Sequence, residues 1–124
     1  MVRIIYFLLV LTGCATTNQN EAVVTIDANQ LIELQNNGVK VVDVRTSKEY
    51  AQGHIPGAIN IDFYASDFID KMKAFHNDES IVIHCAVGGR SGKASKMLEK
   101  QGFKKVYDYN GGFKDWKLKG FEIE

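Results

Sequence analysis

From Val23 onward, short apolar runs of strand length alternate with apolar positions at helical spacing. Val23-Val24-Thr25-Ile26 reads as a first strand. Asp27 then caps a helix, with Gln30 three residues on completing a capping box. Leu31, Ile32 and Leu34 mark the helix's apolar face, and Gly38 stops it. Val39 to Val44 is apolar enough for a strand buried on both sides. Thr46 and Glu49 form a second capping box, opening a short helix that ends at Gly53. Ala58 to Ile61 is a third strand. Phe68, Met72 and Phe75 recur at helical spacing. Ser80 to His84 is a fourth strand, Arg90 to Gln101 a helix closed by Gly102, Lys105 to Tyr109 a fifth strand and Phe113 to Lys117 a last short helix. Strands separated by helices predict parallel crossovers. The expected fold is α/β: a single domain over 23–124, with a central, largely parallel five-stranded sheet and helices on both faces. Sites in such sheets lie beyond the carboxyl ends of the strands, and Cys85 falls at that edge.

The first residues follow another pattern. Met1-Val2-Arg3 carries one positive charge, and Ile4 to Leu11 is unbroken and apolar. That run is far shorter than the roughly 20 residues a membrane-spanning helix needs, and it reads as the core of a signal peptide. Leu11-Thr12-Gly13-Cys14 resembles the bacterial lipobox. The resemblance implies removal of residues 1–13 and acylation of Cys14. A plain secretory signal cut nearby, or a misassigned start, is the alternative. Residues 14–22, small and polar after the cysteine, read as the lipidated end and a flexible tether. The expected protein is exported and lipid-anchored to a bacterial membrane, facing the periplasm; by analogy with the lipoproteins it resembles, Ala15 after the cysteine favours the outer membrane where the organism has one. Each buried methylene contributes about 0.8 kcal/mol to such anchoring.

The candidate chemistry sits in Cys85-Ala86-Val87-Gly88-Gly89-Arg90-Ser91. A cysteine at a strand end, a Gly-rich loop and the start of a helix together cradle negative charge. Successive loop amides form a nest, and the helix offers its free N–H groups and positive dipole end. Such surroundings bring a cysteine from about 8.5 to between about 3.5 and 7.5. Arg90 adds a fixed charge and a bidentate fork for an oxyanion. Ser91 either donates to sulfur or satisfies backbone in the helix's first turn, the second being favoured. His84 reads as a strand residue, since neighbours on a strand point to opposite faces. Lys93 reads as part of a solvated helix face. A buried structural cysteine is the bland alternative for Cys85, and the Gly-Gly-Arg-Ser sequence argues against it.

This loop resembles the active-site loop of rhodanese-domain sulfurtransferases, Cys-x-x-Gly-x-Arg followed by a small residue. Asp43-Val44-Arg45, Glu49-Tyr50 and Gly53-His54-Ile55-Pro56-Gly57-Ala58-Ile59-Asn60-Ile61 resemble the family's N-terminal signature. Gly111-Gly112-Phe113, Trp116 and Gly120 resemble its C-terminal one. The resemblance runs from about Val23 to the end. It implies a two-step transfer through a Cys85 persulfide, from thiosulfate or a similar anion to cyanide or a thiol, with no cofactor and no metal. It makes Asp43 and Arg45 organisers of the site's loops, though Arg45 is also placed to pair with Glu49. His54 reads as a hydrogen-bonding residue of the Pro56-Gly57 turn. The rival is a cysteine phosphatase or arsenate reductase, whose signature places one more residue between cysteine and arginine than the four found here.

Composition narrows the picture further. A formal net charge of zero gives no basic excess for nucleic acid. With Cys14 acylated, no disulfide can form within one chain, and an unpaired thiol in an exported protein is a candidate reactive group. A persulfide carrier that docks a protein acceptor, or a thiol redox sensor, remains the non-turnover alternative.

Overall fold

The computed structural model describes residues 21–124, so the leader, Cys14 and the tether up to residue 20 lie outside the described residues. Strands and helices alternate as β1 (Val23–Thr25), α1 (Ala28–Asn36), β2 (Lys40–Asp43), α2 (Ser47–Ala51), β3 (Ile59–Asn60), α3 (Phe68–Met72), β4 (Ile81–His84), α4 (Gly89–Lys100), β5 (Val106–Tyr109) and α5 (Gly112–Leu118). The strands form one parallel sheet in the order β1-β5-β4-β2-β3. The tether's last residues are tied to this sheet: the Val106 amide donates to Ala22 O at 2.7 Å, and Lys105 Nζ donates to Glu21 O.

Both capping boxes form. Asp27 Oδ1 accepts from the Gln30 amide at 2.8 Å, and Gln30 Oε1 accepts from the Asp27 amide at 2.8 Å. Thr46 and Glu49 make the same reciprocal pair at the start of α2. The helix expected across Phe68, Met72 and Phe75 is shorter than its spacing suggests. It stops at Met72, and single-turn hydrogen bonds such as Phe75 N to Met72 O carry Phe75 into the core.

Side chains alternate across the sheet and build two cores. Val42, Val44, Ile81, Ile83 and Val106 pack under α3 and α4 with Met72, Ala94 and Leu98. Val41, Val82 and Tyr109 pack under α1 and α5 with Leu31, Phe113 and Trp116. Burial on both faces explains why β2 and β4 read as continuous apolar runs. The chain runs outward from β2 to β3, returns to β4 and then moves the other way to β5. This reversal between β2 and β4 leaves a crevice outside their carboxyl ends.

Asp43 and Arg45 occupy that crevice as a buried ion pair. Arg45 Nε donates to both Asp43 oxygens at 3.0 and 3.1 Å, and Nη2 donates to Oδ2 at 2.7 Å and to Gly53 O at 2.8 Å. The side chains are 0 % (Asp43) and 5 % (Arg45) exposed. The guanidinium carbon lies 4.2 Å from the centre of the Phe113 ring. The pair therefore ties the end of β2 to the exit of α2 and to α5. The local Arg45–Glu49 pair that the spacing allows does not form, because Asp43 takes the guanidinium fork and Glu49 turns to α4 (see below).

Removing one partner of a buried ion pair leaves the other uncompensated, at a cost of about 3–5 kcal/mol. Arg45→Ala should lose about that much in equilibrium urea unfolding, whereas Asp27→Ala, which removes a surface helix cap, should lose about 1 kcal/mol.

Candidate active site

Strand β4 ends at His84, and the next residue begins the loop. Strand alternation sends the two side chains apart. Cys85 joins the core under α3 and α4, while His84 turns toward Asp43 and Tyr109. His84 is fully buried; burial keeps its ring neutral against the pull of Asp43, 3.7 Å from Nε2. Its Nδ1 faces Cys85 O at 3.1 Å. It supports the loop from beneath and does not meet the sulfur.

The loop's backbone is fixed from α5. The Phe113 amide donates to Cys85 O at 2.8 Å, and the Lys114 amide donates to Ala86 O at 3.1 Å. These contacts require Gly112, whose φ of +68° and close approach leave no room for a side chain; a Cβ there would stand 2.5 Å from Ala86 O. Gly88 is constrained in the same way, with φ +99° and Asn110 O only 2.5 Å from where a Cβ would sit. With the Cys85 and Ala86 carbonyls drawn toward α5, the later amides of the loop face the sulfur.

The Gly88 amide donates to Cys85 Sγ at 3.1 Å, and Ser91 Oγ lies 3.7 Å from it. Ser91 Oγ donates to Gly88 O at 3.3 Å, the backbone role favoured for it, and accepts from the Cys85 thiol while that thiol is protonated. Cys85 is 1 % exposed. Burial by itself raises its pKa. Donation from the Ser91 amide and hydroxyl and from the Gly88 and Val87 amides outweighs burial and brings the thiol below its ordinary value. A purely structural buried cysteine has no need of such a ring of donors.

Arg90 opens α4 but does not present a free fork. Nη1 and Nη2 donate to Glu49 Oε1 and Oε2 at 2.6 and 3.0 Å. Glu49, read in the sequence as a capping residue and a local partner for Arg45, thus bridges α2 to α4 as well. Arg90 holds the Glu49 carboxyl down to about 2, and the carboxylate raises the Arg90 guanidinium in return. Beside Ala86, a cleft of about 390 Å³ is lined by Arg45, Glu49, Phe113, Lys114 and Lys117 among others. Cys85 is not among those lining it. Lys93 is exposed on α4, as its position on the helix implies.

Two features were not foreseen. The role of the α5 amides could have been suspected from the paired glycines, which give backbone access. Asp108 carried no such signal. It is buried on β5, its Oδ1 has no partner among the described residues, and burial raises its pKa against a smaller opposing effect of Ser91. Among the described residues, no group of three or more His, Cys, Asp or Glu is placed to hold a metal ion.

The rhodanese-like domain family matches residues 27–119, most of the chain and every described strand and helix except β1. The chain belongs to the rhodanese-like domain family. The chain is 37 % identical over 92 residues to thiosulfate sulfurtransferase GlpE of Pseudomonas paraeruginosa, covering 74 % of this chain and 82 % of the relative. It is 38 % identical over 93 residues to the chloroplastic thiosulfate sulfurtransferase 16 of Arabidopsis thaliana, covering 67 % and 78 %. A rhodanese-related protein of Thermoplasma volcanium superposes with a TM-score of 0.72 at 31 % identity, covering 82 % of this chain and 97 % of that one. This rhodanese-like chain is accordingly a sulfurtransferase of the rhodanese type.

The glycine geometry predicts a graded response. Gly88→Ala and Gly112→Ala, both strained and both closing on backbone, should displace the loop and slow alkylation of Cys85 by iodoacetamide by about tenfold or more, a 1.4 kcal/mol effect. Gly89→Ala meets nothing within 4 Å and has no positive φ; it should leave the alkylation rate and the melting temperature near those of the parent.

Proposed function

We propose that Cys85 carries a sulfane sulfur between a small donor and a thiophilic acceptor. The observation that carries this reading is a buried sulfur that receives the Gly88 amide at 3.1 Å and has Ser91 Oγ 3.7 Å away. Such a site stabilises a thiolate and equally a persulfide anion, with donors fixed before reaction.

In the first half-reaction the Cys85 thiolate attacks the outer sulfur of thiosulfate. A bond forms to that sulfur, the donor's S–S bond breaks, and its electron pair leaves on sulfite. Cys85–S–S⁻ remains. In the second, cyanide or a thiolate attacks the terminal sulfur. The persulfide bond breaks, the electron pair returns to Cys85, and thiocyanate or a new persulfide departs. The balance needs no oxidant, reductant or cofactor.

The four residues between Cys85 and Arg90 support sulfur over phosphoryl transfer. With Gly88 N at 3.1 Å, the short loop closes on the sulfur itself and not on a group built around it. The N-terminal sequence supplies the setting of the proposal. Cys14, acylated after loss of residues 1–13, would hold the domain at a bacterial membrane on the periplasmic side; labelling with a palmitate analogue, lost in Cys14→Ser, tests that part.

Thiosulfate treatment should add one sulfur atom to the intact mass of the protein, and cyanide should remove it as thiocyanate. Cys85→Ser should abolish both while keeping the parent's circular dichroism. A phosphatase turnover without sulfur transfer would overturn the reading. Ser91→Ala removes a donor to the thiolate, so the thiol pKa rises and the alkylation profile moves to higher pH. At neutral pH the rate should fall by about tenfold, the loss of one hydrogen bond to a charged group.

A further inference from the structure

Strand β5 buries an acid that the sulfur chemistry leaves unused. Asp108 pairs in register with Thr25 on β1 and Ile83 on β4. Cys85 follows Ile83 by two residues and shares its face of the sheet, in the core under α4. The first half of α4 covers Asp108: a Cβ added to Gly92 would stand 3.9 Å from Asp108 Oδ2. Asp108 is only 7 % exposed, and its Oδ1 has no partner among the described residues. Ser91 is the side chain that favours its ionised form. The same hydroxyl lies 3.7 Å from Cys85 Sγ. Ser91 has one hydroxyl proton, and Gly88 O, at 3.3 Å, is a long acceptor for it. An ionised acceptor holds such a proton more strongly than a carbonyl does. Once the thiol ionises, sulfur and carboxylate draw on one donor, and the two titrations are coupled.

No fixed charge stands between them. Thr25 and Ile83 flank Asp108, and α4 turns Ser91, Ala94, Ser95 and Leu98 inward. The charges around the sulfur lie elsewhere. Arg90 is paired with Glu49, and Lys114 and Lys117 line the cleft beside Ala86. Asp43, paired with Arg45, is in register with the neutral His84, which strand alternation sends to the other face from Cys85. A substitution confined to Asp108 leaves all of these in place.

We propose that Asp108 is a positioning residue for sulfur transfer: its carboxylate competes with the Cys85 thiolate for the Ser91 proton and so limits how readily the thiol ionises. This inference rests on the reading of Cys85 as the reacting sulfur. The proton stays on the Ser91 oxygen throughout; only the direction in which it points changes. The limit has a chemical use. A thiolate loses nucleophilicity as its pKa falls, and attack is fastest when that pKa lies near the working pH. The loop donors by themselves drive Cys85 toward a stable, sluggish thiolate, and Asp108 opposes them.

Asp108→Asn tests this, because the amide keeps the shape, loses the charge and donates to Ser91 Oγ. The Cys85 titration is read from thiolate absorbance, with Cys85→Ser as the blank. The midpoint should fall by about one unit, a tenfold change in ionisation at fixed pH. Once fully ionised, the variant should exchange with 2-hydroxyethyl disulfide about threefold more slowly than the parent. In a Ser91→Ala background, Asp108→Asn should move the midpoint by about half as much or less, since coupled residues are not additive. A midpoint that stays or rises, or a plateau rate that does not fall, overturns the proposal. So does an equal shift in both backgrounds, which would make Asp108 a distant charge acting without Ser91. If Asp108→Asn melts early, carbon-13 NMR of labelled aspartate decides. The Asp108 carboxyl should titrate at higher pH in Ser91→Ala than in the parent, and an unmoved carboxyl overturns the proposal. None of these readings needs a sulfur donor, so failure of thiosulfate to load Cys85 sinks the carrier reading separately.

Discussion

Two backbone hydrogen bonds, from the amides of Phe113 and Lys114 to the carbonyls of Cys85 and Ala86, set the polarity of the site. A short loop has few ways to direct its amides inward, and each requires its carbonyls to find partners elsewhere. Helix α5 supplies those partners. Gly112 makes the approach possible, and Phe113 anchors the helix in the core beside Trp116. With the carbonyls held there, the Ser91, Gly88 and Val87 donors oppose the upward push of burial on Cys85. The reactivity of the sulfur therefore depends on a helix remote in sequence that never touches it.

The Asp43–Arg45 pair underlies the same arrangement. Its burial is costly in isolation, yet Arg45 spreads its donors over Asp43 and Gly53 and lays its face on Phe113. This clamps the ends of β2 and α2 against α5. On the other side, His84 fills the space between Asp43 and the loop backbone as a neutral ring. These residues act on position: they hold the platform on which the loop closes.

Much of this was legible along the chain. Alternation of apolar runs marked the parallel sheet, and both capping boxes fixed helix starts to the residue. Cys85 and its glycines declared a loop for negative charge. Side-chain pairing was less legible, because it depends on which elements meet in space. Arg45 has an acid two residues before it and another four after; geometry gave it to Asp43. Arg90 looked free to bind an oxyanion, since its partner lies 41 positions earlier in sequence. Asp108, within β5, carries nothing in the sequence that sets it apart. The short extent of α3 reflects the same limit: Phe75 keeps its place in the core through a turn that helical spacing cannot distinguish from a helix.

The division of labour between dipoles and charges then has a chemical meaning. Amide and hydroxyl donors act at short range and favour charge on the atom they touch, here Cys85 Sγ. A guanidinium acts at longer range and would favour any anion entering the site. By pairing Arg90 with Glu49 and leaving the amides to face the sulfur, the fold stabilises the negative charge it must make on its own cysteine through dipoles, while Lys114 and Lys117 in the cleft beside Ala86 carry the charge that meets an entering anion. The same carboxylate, held by Thr46, also keeps α2 and α4 at a fixed separation. Mechanical support for the loop and the neutralisation of Arg90 thus fall to one side chain, and a substitution that keeps its shape but removes its charge separates the two.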